Sequence, residues 1–160
     1  MSEAAALGAG FTPQAALVDH IFVAQDPKEQ LLLGPAYAIA ALLQRNGLSV
    51  GDIGVWELHE AFAGQVLANL AALDSSLFSA KHLGRGEGAA KVGRPDMARI
   101  NTAGGSLGVG HPFGATGTRI LTTAAKRLRR EGGKYAVIAA CAAGGQGHAM
   151  LIEAFEPTTA

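Results

Sequence analysis

One cysteine in 160 residues rules out an internal disulfide and fits a reducing compartment. Charge is also scarce: 16% of residues are charged and the formal net charge is zero. With no basic patch and no acidic tail, nothing points to nucleic acid or to a disordered partner arm. Apolar runs are broken by Gly, Asp or His well before the roughly 18 residues a membrane helix needs. The first residues, MSEAAALGAGF, lack the basic and long apolar regions of a secretory signal. The five histidines are scattered without zinc spacing.

What the chain has is glycine, 22 residues of it, gathered around 84–88, 104–117 and 144–147. Clustering marks turns or sites, since low complexity would spread it. The stretch NTAGGSLGVGHPFGATGTR, 101–119, rings one histidine, His111, with glycine, where backbone can approach itself or a ligand. A helix is expected over 114–130, with small residues in its first half and Lys126, Arg127, Arg129 and Arg130 suiting its C-terminal dipole end. His111 is then at the mouth of a helix, a place that suits acyl or phosphate chemistry. A tight turn with an incidental histidine is the alternative.

The chain alternates strands and helices. Residues 2–9 form a short Ala-rich helix or fray. A strand is expected over 16–24, with His20 facing water, and a polar loop over 25–30. Pro35 opens a helix that Asn46-Gly47 stops, with an apolar stripe at 36, 39, 40, 42 and 43. A short strand, 55–58, follows a turn. Leu58, Phe62, Val66, Leu70 and Leu73 recur at helical spacing, so a helix is expected from about Glu60 to Ala72, with Glu60 in its first turn. His59 then lies at a strand-to-helix switch, where ligands collect in α/β sheets, or it caps the helix. Ser76–Leu83 adds a helical turn, and 81–99 is a basic, solvated surface excursion. Strands over 135–140 and 148–155 make an antiparallel hairpin across a glycine turn. This is a two- or three-layer α/β domain.

His59, His111 and Cys141 each sit at a strand end or in a loop. A thiol and two imidazoles can do nucleophilic or acid–base work. A run of unhindered backbone N–H groups after Cys141 can supply an oxyanion site. A lone Cys is also commonly just a small buried residue.

Three of these motifs resemble a known family. GGSLGVGHPFGATGTR resembles the histidine segment of thiolases, CAAGGQGHAMLIE their C-terminal cysteine segment, and HEAFA their NEAFA block, with His where most members carry Asn. With DPKEQLLLGPAYA, these blocks are most similar to the β-subunit thiolases of the fatty-acid oxidation trifunctional complex. The likeness runs from about residue 10 to 156. It implies an α/β, thiolase-like C-terminal domain over 15–156, a mixed sheet of about five strands packed between helices. Residues 1–14 are then expected to be an N-terminal segment or a linker remnant, and 157–160 a tail.

The resemblance implies thiolysis of 3-ketoacyl-CoA by free CoA, giving acetyl-CoA, or the reverse condensation. In it Cys141 is the acid–base cysteine, His111 activates the nucleophile, and His59 takes the place of a water-positioning Asn. Ala143 and Gly144 lend oxyanion amides. Coenzyme A is a substrate, and no cofactor or metal is implied. The nucleophilic cysteine belongs to an N-terminal half, so that half, or a full thiolase chain, is the expected partner. An oligomer and a β-oxidation α-subunit are further partners. The expected location is the bacterial cytoplasm, or the mitochondrion in a eukaryote. A non-catalytic interaction module and a truncated gene product are the alternatives.

Overall fold

The computed structural model describes residues 1–156; the proposed 157–160 tail lies outside them. Helix α1 (Glu3–Gly8) is capped by Ser2 and leads to strand β1 (Ala15–Ala24). The expected loop at 25–30 contains a short helix instead, α2 (Pro27–Gln30). The Asp26 carboxylate accepts the Lys28 N–H at 2.8 Å and Pro27 presets φ, and together they nucleate one turn. Helix α3 (Gly34–Arg45) follows, then a 3-10 turn and strand β2 (Ile53–Leu58). Helices α4 (Ala63–Leu73), α5 (Ser76–Lys81), α6 (Ser106–Val109) and α7 (Thr116–Glu131) separate β2 from β3 (Tyr135–Ala142), which turns back into β4 (Gln146–Ala154).

The sheet is mixed and has the order β1-β4-β3-β2, with only β2 and β3 parallel. It has four strands where about five are expected. The fifth place is reduced to a single parallel bridge between Trp56 and Ile100, reinforced by the Asn101 N–H to Trp56 carbonyl bond of 3.0 Å. Gly93 (φ +109), Pro95 and the 3-10 turn Met97–Arg99 leave no extended run there for a ladder.

Helices α3 and α4 bury one face of the sheet through Ile39, Leu42, Leu43, Trp56, Leu70 and Leu151, while α7 buries the other through Ile120, Ala124 and Leu128. That makes three layers. Helix α3 begins in direct backbone contact with β4: a Cβ on Gly34 would lie 2.5 Å from Gly147 Cα, and one on Gly147 would lie 2.4 Å from Gly34 Cα. Both partners are main chain, so neither can swing away. Gly147→Ala is expected to lower stability by about 1–3 kcal/mol, read as a lower urea midpoint. An unchanged midpoint would contradict this packing.

Helix α7 departs from its sequence reading at Arg127. This residue is 1% exposed, so it serves an interior ion pair and not the helix dipole in water. Its Nη1 donates to Glu57 Oε1 at 2.8 Å and to the Trp56 carbonyl at 3.1 Å. Nη2 reaches the Arg99 carbonyl at 3.0 Å, and Glu131 caps the guanidinium at 3.0 and 3.1 Å. One side chain thus ties α7 to β2 and to the reduced fifth position.

Beyond the cover of α7, the same sheet face carries Leu17 (58% exposed) and Phe22 (74% exposed) on β1, cross-strand from Ile152 and His148 of β4. Phe22 stacks on His148 with ring centroids 4.4 Å apart, and His20 is exposed beside them, as expected.

Candidate active site

The parallel pair β2 and β3 ends on one side of the sheet, and the site is built there. His59 follows the last residue of β2. Its N–H donates to the Ala139 carbonyl at 2.8 Å, so it prolongs the β2–β3 ladder and does not cap a helix. Helix α4 starts only at Ala63. The helical spacing of Leu58 and Phe62 is coincidental: Leu58 belongs to β2, and Phe62 is an exposed N-cap.

Glu60 is therefore not a first-turn dipole residue. Its Oε1 accepts from Asn101 Nδ2 at 2.7 Å and its Oε2 accepts the Leu107 N–H at 3.0 Å. Gly105 makes room for it, since a Cβ there would sit 2.0 Å from Glu60 Oε2. Asn101 also exchanges two 2.8 Å bonds with the Leu58 backbone, holding a left-handed φ of +48° that Asn tolerates. The carboxylate and the carboxamide together clasp the glycine-rich loop to the end of β2.

That clasp brings His111 onto His59: their ring centroids are 4.1 Å apart at 40°. His111 is exposed and lies in the loop between α6 and α7, five residues before the first residue of α7. Gly114, at φ +81°, delays the helix. His111 Nδ1 is 2.6 Å from Thr116 Oγ1, which orients the ring, and Phe113 meets it edge-on at 5.0 Å. His59 is 4% exposed, and its Nδ1 is 2.9 Å from Ser106 Oγ.

Burial lowers the His59 pKa below its ordinary 6.5, helped by His111 and Arg119 and opposed by Glu60. The unfolded chain then binds more protons at His59 than the folded one, so stability falls as pH drops below about 6.5. Urea unfolding between about pH 5 and 7.5 should show this slope. His59→Asn should make it shallower, leaving the part due to His148, whose pKa burial also lowers; an equal slope in the variant would assign it wholly to other groups.

Cys141 is the next-to-last residue of β3 and pairs with Gly147, rather than standing beyond the strand. Register puts it two residues past Ala139, the residue that receives the His59 N–H, and so at the same end of the sheet. The thiol is buried, and burial pushes its pKa up against the pull of its own backbone amide. Among the described residues no hydrogen bond joins it to either imidazole. Ala143 and Gly144 are exposed in the β3–β4 turn, where Gly144 and Gly145 both adopt positive φ. The Gln25 N–H secures that turn through the Gly145 carbonyl at 2.9 Å.

The structure thus joins His59 and His111 directly and sets Cys141 and its turn on the adjacent strand end. Glu60 as a clasp, Asn101, Ser106, Thr116 and Arg119 were not legible as site residues. The only signal for Glu60 was its place in the HEAFA block, and for the others membership of the glycine-rich segment. Among the described residues no group of three or more His, Cys, Asp or Glu could hold a metal ion, and no helix is long and apolar enough to cross a membrane.

Comparison with known proteins bears on the chain as a whole. The family described as Thiolase, C-terminal domain, matches residues 11–154. The mitochondrial trifunctional enzyme subunit beta of Bos taurus is 56% identical over 155 residues, covering 97% of this chain and 32% of the relative. A probable 3-ketoacyl-CoA thiolase of Caenorhabditis elegans is 57% identical over 155 residues, covering 97% and 34%. The crystal structure of human mitochondrial 3-ketoacyl-CoA thiolase superimposes with a TM-score of 0.78 at 37% identity, covering 96% of this chain and 34% of that one. The chain spans about a third of the length of these curated relatives.

Proposed function

Because the chain belongs to the thiolase family, through its C-terminal domain, we propose that it supplies the acid–base machinery of a 3-ketoacyl-CoA thiolase. The reaction joins free CoA and a 3-ketoacyl-CoA and yields acetyl-CoA and an acyl-CoA shortened by two carbons. An N-terminal thiolase segment contributes the nucleophilic cysteine. His111 takes that thiol's proton, and the thiolate attacks the C3 carbonyl. The C2–C3 bond breaks, and the electron pair left on C2 takes a proton from the Cys141 thiol, releasing acetyl-CoA. The Cys141 thiolate then accepts the proton of incoming CoA, whose sulfur takes the acyl group, and the released nucleophile thiolate recovers its proton from His111.

The observation that carries this reading is the 4.1 Å pairing of His59 and His111 at the sheet end that also holds Cys141. The raised pKa supports it: a buried thiol stays protonated at neutral pH and is ready to act first as an acid. The amides of Ala143 and Gly144 are placed to line an oxyanion site in the turn after Cys141. Coenzyme A enters as substrate, and the reaction needs no cofactor.

Oligomerisation, a β-oxidation α-subunit, and a mitochondrial or bacterial cytoplasmic location complete the proposal. In the complete enzyme, His111→Gln should lower kcat by about 10²–10³-fold with little change in KM. An unchanged kcat would remove His111 from the mechanism.

A further inference from the structure

Arg119, on the first turn of α7, reaches the site through Ser106. Its Nη2 donates to Ser106 Oγ at 3.0 Å, and the same oxygen lies 2.9 Å from His59 Nδ1. A guanidinium has donors and no acceptor, so Ser106 must accept from it. The hydroxyl retains one proton to place. Among the described residues the acceptor within its reach is His59 Nδ1. Were His59 protonated at Nδ1, that N–H would also point at Ser106 Oγ and leave a buried hydroxyl proton without a partner, at a desolvation cost.

We propose that Arg119 and Ser106 are positioning residues that fix His59 as the tautomer with a bare Nδ1 and a proton on Nε2. His59 then presents Nε2–H as a donor to an oxygen of the bound thioester or of a water, next to a His111 that works as a base. This use of the donor rests on the thiolase reading; the tautomer does not.

Three further observations favour the relay. Ser106 is 6% exposed, so water does not compete freely for its hydroxyl. Arg119 Nε is buried without a partner, a cost that a side chain serving packing alone would avoid. The charged groups facing His59 are Arg119, Glu60 and the titratable His111. Glu60 favours an imidazolium, but both its oxygens are engaged by Asn101 and Leu107, while Arg119 and His111 disfavour one, and Arg119 polarises the Ser106 O–H toward the ring.

The test is imidazole ¹⁵N NMR of the full chain, for wild type, Ser106→Ala, Arg119→Met and Arg119→Lys. Wild-type His59 is expected to show a pyridine-like Nδ1 and a pyrrole-like Nε2. Ser106→Ala should mix or invert the two tautomers, Arg119→Met should do so in part, and Arg119→Lys, which keeps a cationic donor, should restore the wild-type pattern. In the complete thiolase, Arg119→Met should lower kcat about ten- to a hundredfold with partial rescue by lysine. A protonated Nδ1 in wild type overturns the proposal without recourse to any variant. So does a tautomer unaltered in both Ser106→Ala and Arg119→Met. Absence of thiolysis by the complete wild-type enzyme would instead strike the functional reading and leave the tautomer assignment standing.

Discussion

Replacing Cys141 with alanine is expected to lower 3-ketoacyl-CoA thiolysis in the complete enzyme by about 10³–10⁴-fold. In the proposed mechanism the thiol is used twice, as the acid that quenches the C2 carbanion and as the base that deprotonates CoA. Neither an alanine methyl nor a water held at random replaces a proton donor built into a strand end. The fold should survive: Cys141 sits beside Gly147 at the end of β3, and the change removes one sulfur from a small-residue environment. KM should move little, because the group handles protons and not the bulk of the substrate. A second readout isolates the acid step. Exchange of solvent deuterium into the methyl group of acetyl-CoA should vanish in Cys141→Ala while acylation of the nucleophile by an acyl-CoA persists. Turnover within threefold of wild type would remove Cys141 from the mechanism.

Substituting Arg127 should have the largest effect on the fold. Glu57 is fully buried and its Oε2 has no partner, so Arg127 is the cation that compensates its charge. Burial already pushes the Glu57 pKa up, against the pull of Arg127. Arg127→Met strands the carboxylate and should cost about 3–5 kcal/mol, a large part of the roughly 5–15 kcal/mol that holds a domain together. The pH dependence follows from the sign of the shift. A carboxyl with a raised folded-state pKa binds more protons folded than unfolded, so stability declines as pH rises through that pKa. Arg127→Met should therefore regain stability on acidification from about pH 8 toward 5. The double change Glu57→Leu with Arg127→Met should recover most of the loss, since it removes both charges together. Urea unfolding of the three forms checks each statement. A single variant as stable as wild type would mean that the pair contributes nothing.

Physical periodicity explains which parts of this fold were legible. Helix α3 and the β3–β4 hairpin carry patterns that burial enforces, β1 shows itself by its run of Val, Ile and Phe although none of its residues is buried, and the glycine turn between β3 and β4 has a backbone that needs positive φ. The start of α4 was misread because Leu58 and Phe62 fit the helical period by accident, while backbone pairing with Ala139 keeps His59 in the ladder. The fifth strand shrank to a bridge at Ile100, which no local pattern announces. Arg127 reads as a solvated helix end, and only its partners from 28 and 70 residues away reveal an interior ion pair.

The site divides in the same way. His59, His111 and Cys141 are chemically conspicuous and stand at element ends. Ser106 and Arg119 are joined to the site by polar contacts 47 and 13 residues distant in sequence, and hydrophobic patterning carries no record of such contacts. Asn101 and Glu60 escaped for the same reason, although Asn101 is, among the described residues, the only non-glycine with positive φ.

The central claim is that these residues supply proton transfer to a nucleophile carried by an N-terminal thiolase segment. It is tested most directly by purifying the 160-residue chain with and without an N-terminal thiolase segment and following the loss of a 3-ketoacyl-CoA in the presence of free CoA. Thiolysis should appear only with both parts present and should be abolished by Cys141→Ala. Thiolysis that persists undiminished in that variant, or no thiolysis from a stably assembled pair, would contradict it.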